Sequence, residues 1–366
     1  MKILQVLPHL SKGGAERVVV ELSNSLVQVE HEITILLAFP VDPVLNQSHL
    51  SAKIPVVFLT KNRKNKFFQY IKIPFWVLRN WNYLKKFDVI HCHLSFGLIL
   101  GAWISIFRKF SNQSSLKLIA TCHVVGVGVT KTPRLLNENL SYFFDAFVLM
   151  ALDMQWRSFI SSRSRNNVSV IFNGVTSNSL KNVEKSYAKG NYWTIGTISR
   201  LHTERKPWLF LEIFENVKRL RSDEVKFVLG GEGREWNSLV KQSEKLGLTE
   251  SLLMPGLVRE PKSVLDTLDV YVTLNIEEIT GIAGLEAIFA GIPVVGIQLS
   301  AGYTNGADDW IWSNHDTMVV AQKIVELLSN PTQLAAIADK QLKIASEKYT
   351  VEVMRNSYLS LYKGSK

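Results

Sequence analysis

Only two cysteines, Cys92 and Cys122, occur in 366 residues, which excludes a disulfide framework and fits a reducing compartment. Long apolar runs are missing as well. The longest, Leu94 to Phe107, is too short and too interrupted by glycine to span a bilayer. The opening MKILQVLPHL meets Pro8 too early for a signal peptide and reads instead as a first strand. Low-complexity segments and short-period repeats are absent. No helix-turn-helix, zinc-finger or RNA-recognition pattern appears, so nucleic acid is not an expected partner. Acidic residues are scarce in one half only. Residues 1–172 hold 20 Lys and Arg against 9 Asp and Glu, whereas residues 173–366 hold 22 against 23. The whole net charge of +10 therefore belongs to the first half.

What remains is a chain rich enough in apolar residues (46%) to build full cores. Short β-rich runs alternate with helical stretches, the mark of an α/β fold with parallel sheets. In the first half the strand candidates are Ile3–Leu7, Glu32–Leu37, Val56–Leu59, Asp88–Cys92, Leu116–Thr121, Ala146–Met150 and Val168–Phe172. In the second they are Thr194–Ser199, Lys226–Leu229, Leu252–Met254, Val270–Leu274 and Val294–Ile297. Between the sets lies Asn173-Gly-Val-Thr-Ser-Asn-Ser-Leu180 and a polar stretch, the best domain boundary. Each half is long enough for its own doubly wound sheet. Pro331 to Tyr362 reads helical, with Pro331 in a first turn.

The segment EEITGIAGLEAIFAGIPVV, residues 277–295, carries most of the functional signal. A strand leads in, a glycine-bearing turn opens a helix, and a second strand leads out, which makes a βαβ unit. Unpaired N–H groups and the helix dipole at such a turn favour an anion. Glu278 lies in the loop before the helix and Glu286 within its first turns, eight positions on. Two hydroxyl-accepting carboxylates around an anion cradle suit a nucleotide sugar, a diphosphate held between two polyols. Taken alone, the pair would read as solvated surface glutamates.

Other segments point the same way. Strand Ile3–Leu7 runs into Pro8-His-Leu-Ser-Lys-Gly-Gly-Ala-Glu16, where Gly13 and Gly14 let backbone approach a ligand at a helix N-terminus. This is not G-x-G-x-x-G, so a dinucleotide reading is weak. Arg200 and Lys206 lie six apart in a loop before a helix, placed to meet the charge of a departing diphosphate. His93 and His123 each close a strand, where ligands of open α/β sheets bind. A Cys/His metal site is their competitor, but thiols beside apolar strands are more often inert core cysteines.

These elements resemble, in order, those of glycosyltransferase family 4, retaining enzymes of the GT-B fold. The resemblance rests on the GG-A-E loop at Gly13, the Arg200…Lys206 pair, the glycine turn Gly230-Gly231-Glu232-Gly233 and the Glu278…Glu286 pair. It implies two Rossmann-like domains facing a cleft, residues 1–172 with 349–366 packing back, and residues 173–348. It implies that Glu278 touches donor-sugar hydroxyls, that Glu286 holds the ribose, and that Arg200 and Lys206 stabilise the leaving phosphate without a metal or other cofactor. His123 would lie beside the sugar and His93 would line the acceptor cleft. Gly13, Gly14, Thr280, Gly281 and Ile282 would surround the donor, with Gly231, Leu257 and Val258 near the base. Ser199, Ile279 and Thr280 depart from the family's usual glycines and aromatic. The implied reaction is retaining transfer from a nucleotide-diphosphate sugar, UDP favoured and GDP-mannose second, to a glycan hydroxyl. An epimerase of the same fold and a non-catalytic sugar-nucleotide binder are the alternatives.

The run Lys61-Asn-Arg-Lys-Asn-Lys66, followed by Phe67, Phe68, Tyr70, Ile73, Phe75, Trp76 and Leu78, adds an expected anionic membrane partner. That points to a lipid-linked acceptor in surface-polysaccharide or lipopolysaccharide assembly, and to a cytoplasmic protein held at the inner face of the membrane. An ordinary amphipathic helix is the plainer reading.

Overall fold

A computed structural model describes residues 1–10, 13–40, 49–60, 66–111, 115–123, 139–150, 167–176, 192–221, 225–275, 281–298, 311–312 and 316–364. The chain forms two compact units. The first is built mainly from the chain up to Gly174 and takes back Val351–Lys366; the second is built mainly from Val175–Thr350.

In the first unit seven parallel strands form one sheet: β1 (Lys2–Leu7), β2 (Glu32–Leu37), β3 (Val56–Phe58), β4 (Val89–His93), β5 (Lys117–Cys122), β6 (Ala146–Leu149) and β7 (Val168–Val170). Their order is β3-β2-β1-β4-β5-β6-β7, all parallel. Helices α1 (Gly14–Gln28), α2 (Lys66–Arg79), α3 (Trp81–Leu84) and α4 (Leu94–Phe110) connect them. Strands β1 and β4 are buried on both faces, which explains why they read as near-continuous apolar runs rather than alternating ones. Order reverses between β1 and β4, and the crevice beyond the carboxyl ends of strands at such a reversal is where ligands bind.

The second unit repeats the scheme. Strands β8 (Trp193–Ile198), β9 (Val225–Gly230), β10 (Leu252–Gly256), β11 (Val270–Asn275), β12 (Val294–Gln298) and β13 (Ile311–Trp312) run in the order β10-β9-β8-β11-β12-β13, again parallel. Its reversal lies between β8 and β11. Helices α5 (Trp208–Leu220), α6 (Trp236–Lys245), α7 (Pro261–Leu265), α8 (Ile282–Phe289), α9 (Thr317–Leu328) and α10 (Pro331–Lys348) cover the sheet. Two separate apolar cores result, one around Leu4, Ile90 and Phe147, the other around Phe214, Phe227 and Val272.

The helical reading of Pro331 to Tyr362 needs correction at one point. Helix α10 ends at Lys348, and Tyr349 caps it with non-helical backbone. Thr350 then bridges Val175, and α11 (Val351–Lys363) begins afresh. Its buried residues Val351, Met354, Tyr358 and Tyr362 recur every three or four positions, one stripe of a helix. That stripe completes the first unit. The Gly174 N–H meets Met354 Sδ at 3.2 Å, and Arg355 donates to Ser25 Oγ.

Candidate functional site

In the second unit the sequence-predicted residues that are described follow the carboxyl ends of β8, β9, β10 and β11. The loop after β8 carries Arg200, which is exposed, and Lys206, which is half-buried. A turn of 3-10 helix, Thr203–Arg205, separates them, and Lys206 follows in the left-handed region at φ 48° and ψ 49°. Pro207 disfavours the right-handed helical region for the residue before it, and the Lys206 N–H closes the turn on Thr203 O at 3.0 Å. Among the described residues neither the Arg200 nor the Lys206 side chain has a hydrogen-bond or ion-pair partner. Both are spare cations.

That loop is pinned by its neighbour. Ser199 N–H donates to Gly230 O at 2.9 Å, Leu201 N–H to Glu232 O at 3.0 Å, and Glu235 N–H to Leu201 O at 3.0 Å. Gly231 sits at φ +128°, and a Cβ there would stand 1.8 Å from Ser199 O. Its N–H reaches Gly256 O at 2.7 Å, so the ends of β8, β9 and β10 are locked edge to edge. Leu257 and Val258 follow, both half-buried, and Val258 packs over Gly230.

After β11, Glu278 and Thr280 lie outside the described residues. Gly281 is exposed and begins α8 without a side-chain cap; a Cβ on it would meet nothing within 4 Å. There is thus room beside Gly281 itself, while Ile282 is half-buried; a helix N-terminus is a favourable place for an anion. Glu286 is buried at 6% exposure in an otherwise apolar helix.

One residue joining these parts was not singled out from sequence. Tyr271, in β11, donates its hydroxyl proton to Ile198 O at 2.9 Å and accepts from Ile198 N–H at 3.2 Å. Burial pushes its phenol up to about 12, and the nearby Glu286 charge adds to the rise. Tyr271 thus fastens β11 to the strand end that launches Arg200. A tyrosine inside the apolar run Val-Tyr-Val-Thr-Leu was the available signal, since a buried phenol needs partners.

In the first unit Gly13 caps α1, and the space its side chain would fill holds the Glu16 carboxylate, 2.0 Å from a built Cβ. Glu16 is the third helical residue and folds back over the helix start; its carboxylate also lies 3.4 Å from His9 Nδ1. Exposed Gly14 opens the helix.

His93 and His123 do meet. His93 Nδ1 lies 2.8 Å from His123 Nε2, and His93 Nε2 lies 2.7 Å from Gln5 Oε1. Beside them His91 bonds Tyr362 OH and Thr121 Oγ1, each at 2.7 Å, and Thr121 bonds Tyr358 OH at 2.9 Å. Burial drives His91 and His93 well below the usual imidazole range and His123 down to about 4. All three rings are neutral at pH 7. Burial also pushes the Cys92 thiol up, as for an inert core cysteine.

Comparison with known proteins agrees with this layout. Residues 12–178 match the family described as Glycosyltransferase Family 4, and residues 179–345 match Glycosyl transferases group 1. A Campylobacter jejuni subsp. jejuni serotype O:2 protein is 24% identical over 338 residues, 87% of this chain and 84% of its own. It is the GalNAc-alpha-(1->4)-GalNAc-alpha-(1->3)-diNAcBac-PP-undecaprenol alpha-1,4-N-acetyl-D-galactosaminyltransferase. The poly(ribitol-phosphate) alpha-N-acetylglucosaminyltransferase of Staphylococcus aureus is 26% identical over 172 residues, 46% of this chain and 35% of its own. This chain thus spans about a third of that relative's length. Among solved structures, Anabaena Alr3699/HepE in complex with UDP and glucose superposes with a TM-score of 0.78 at 18% identity, covering 99% of both chains.

Proposed function

We propose, on the premise that this chain belongs to glycosyltransferase family 4 and has the GT-B fold, that it moves a sugar from a UDP-sugar to a glycan hydroxyl with retention at the anomeric carbon. What supports this reading is that, among the described residues, two cations without a side-chain partner, a helix N-terminus without a side-chain cap and a buried carboxylate all follow the two strands that flank one reversal. Two cations stabilise charge developing on a leaving diphosphate, and the N-terminus of α8 offers N–H groups to the same phosphates. Glu286 then accepts from the ribose hydroxyls and Glu278 from the sugar. With retention, the departing phosphate oxygen takes the acceptor's proton on the face it leaves. No metal is needed where Arg200 and Lys206 supply the charge.

The relatives' names support an N-acetylhexosamine as the first donor to try, and a bacterial surface glycan or undecaprenol-linked oligosaccharide as acceptor. UDP-N-acetylglucosamine or UDP-N-acetylgalactosamine should raise the melting temperature above the value with UDP alone. Proton NMR of the product should show the same anomeric configuration as the donor. Inversion would remove the retaining assignment, and an altered sugar nucleotide without acceptor would turn the case to an epimerase.

Membrane docking through α2 is part of the proposal. From Lys61 to Lys86 the chain has eight Lys and Arg and no carboxylate. On α2, Ile71, Phe75 and Leu78 are exposed, Phe75 at 73%, and Phe110 at the end of α4 is 86% exposed. Cations beside exposed apolar rings suit an anionic interface. Among the described residues no helix is long and apolar enough to cross a membrane. Phe75→Ser with Leu78→Ser should weaken co-sedimentation with phosphatidylglycerol vesicles about tenfold; undiminished binding would remove α2 as the docking element.

A further inference from the structure

Strands β8 and β11 are neighbours at the reversal of the second sheet, yet they pair only at Val270 with Ile195 and at Tyr271 with Gly196. Each keeps its outer partner for longer. β8 pairs with β9 as far as Ile198 and Gly230, and β11 pairs with β12 as far as Asn275 and Gln298. The two central strands therefore part beyond Gly196, and their parting opens the crevice in which sheets of this kind bind ligands. It also leaves backbone groups to satisfy. Ser199 turns its N–H to Gly230 O on the β9 side, so Ile198, one residue back, turns both N–H and C=O toward β11. With the β11 backbone out of reach, those two groups would be stranded inside the protein.

Tyr271 meets both with one atom. Its hydroxyl accepts from Ile198 N–H at 3.2 Å and donates to Ile198 O at 2.9 Å, and the residue is only 2% exposed. A phenol thus stands where β11 would otherwise supply a carbonyl and an amide, because a hydroxyl is donor and acceptor at once. Gln341 of α10 does the same for another strand. Its amide accepts from Val294 N–H at 2.8 Å and donates to Val294 O at 2.9 Å, again in a buried position. Val294, however, opens β12, at the opposite end of the sheet from the crevice. One side-chain plug sits far from the loop of Arg200, the other where that loop begins.

We propose that Tyr271 is a positioning residue for diphosphate binding: its hydroxyl fixes the gap between β8 and β11, and so the starting point of the loop that carries Arg200 and Lys206. The inference rests on the reading of that loop as the phosphate-binding one; the plug itself does not.

The test titrates the full chain with UDP and with uridine by calorimetry, the ratio of the two Kd values measuring what the diphosphate adds. Tyr271→Phe removes one plug and Gln341→Met the other. Each variant should melt about 3–10 °C lower, as expected for a buried backbone pair left unsatisfied. The preference for UDP should fall about tenfold in Tyr271→Phe, the size of one lost charged hydrogen bond, and keep its wild-type value in Gln341→Met. An equal fall in both variants, or an undiminished preference in Tyr271→Phe, overturns the proposal. A wild type that binds uridine as tightly as UDP removes the phosphate reading of the loop, and the proposal with it, a result that no variant can imitate. A second measurement needs no variant. In the unliganded protein the Ile198 amide should exchange its hydrogen as slowly as that of Ile195 in the middle of β8, and exchange at the rate of an exposed loop would also overturn the plug.

Discussion

Lys206→Gly should separate activity from stability. Turnover is expected to fall about 10²–10³-fold, the usual loss when one charged stabiliser of a developing anion is removed. Stability should hold or rise, because Lys206 occupies the left-handed region at φ 48°, where a side chain costs about 1 kcal/mol and glycine nothing. The greater freedom of glycine in the unfolded chain offsets part of that gain. Steady-state turnover and urea unfolding on the same preparation read both quantities. Unchanged turnover would take Lys206 out of the reaction, while a large loss of stability would mean that its stem, not its charge, matters. Backbone held in a sparsely populated region beside a reacting group is a common way for strain to be kept where it is used.

Gly231→Ala should have the largest effect on folding. At φ +128° an L side chain is disfavoured, and the new methyl would lie 1.8 Å from Ser199 O. The Gly231 N–H is also tied to Gly256 O, so the backbone has little room to retreat. A loss of about 3–5 kcal/mol is expected, a fall in melting temperature of roughly 6–20 °C for a unit of this size. Gly281→Ala is the control. Its Cβ would meet nothing within 4 Å, its φ is −58°, and calorimetry should find its stability close to wild type. Similar melting points for the two variants would refute the interlocked strand ends.

Twelve of the thirteen strands were legible because parallel strands buried on both faces leave uninterrupted β-branched and aliphatic runs. The missed one, Ile311–Trp312, is two residues long and carries no period. The break between α10 and α11 has no signal in the residues themselves, since Tyr349 and Thr350 interrupt neither helical spacing nor apolar content; only the resemblance set a boundary at Tyr349, and the break coincides with the bridge from Thr350 to Val175. Motif residues were readable because glycines and charges stand out beside apolar strands. Gln5 and Tyr271 were not, since sequence records them as interior strand positions and their partners come from other strands. A lone glutamine within Ile-Leu-Gln-Val-Leu was nevertheless a visible oddity, because a buried amide must find partners.

Helix α11 has a consequence for biosynthesis. Its Tyr358 and Tyr362 close the polar chain through Thr121 and His91 inside the first unit, yet they are translated after the whole second unit. While the ribosome is still making residues 175–350, the nascent first unit has an unfilled groove, with His91 Nδ1 lacking its tyrosine partner and Thr121 Oγ1 keeping only its bond to His91. Units of a chain generally fold in the order of synthesis; here the earlier one reaches its final state last, and a chaperone that shields that groove would meet its client at this stage.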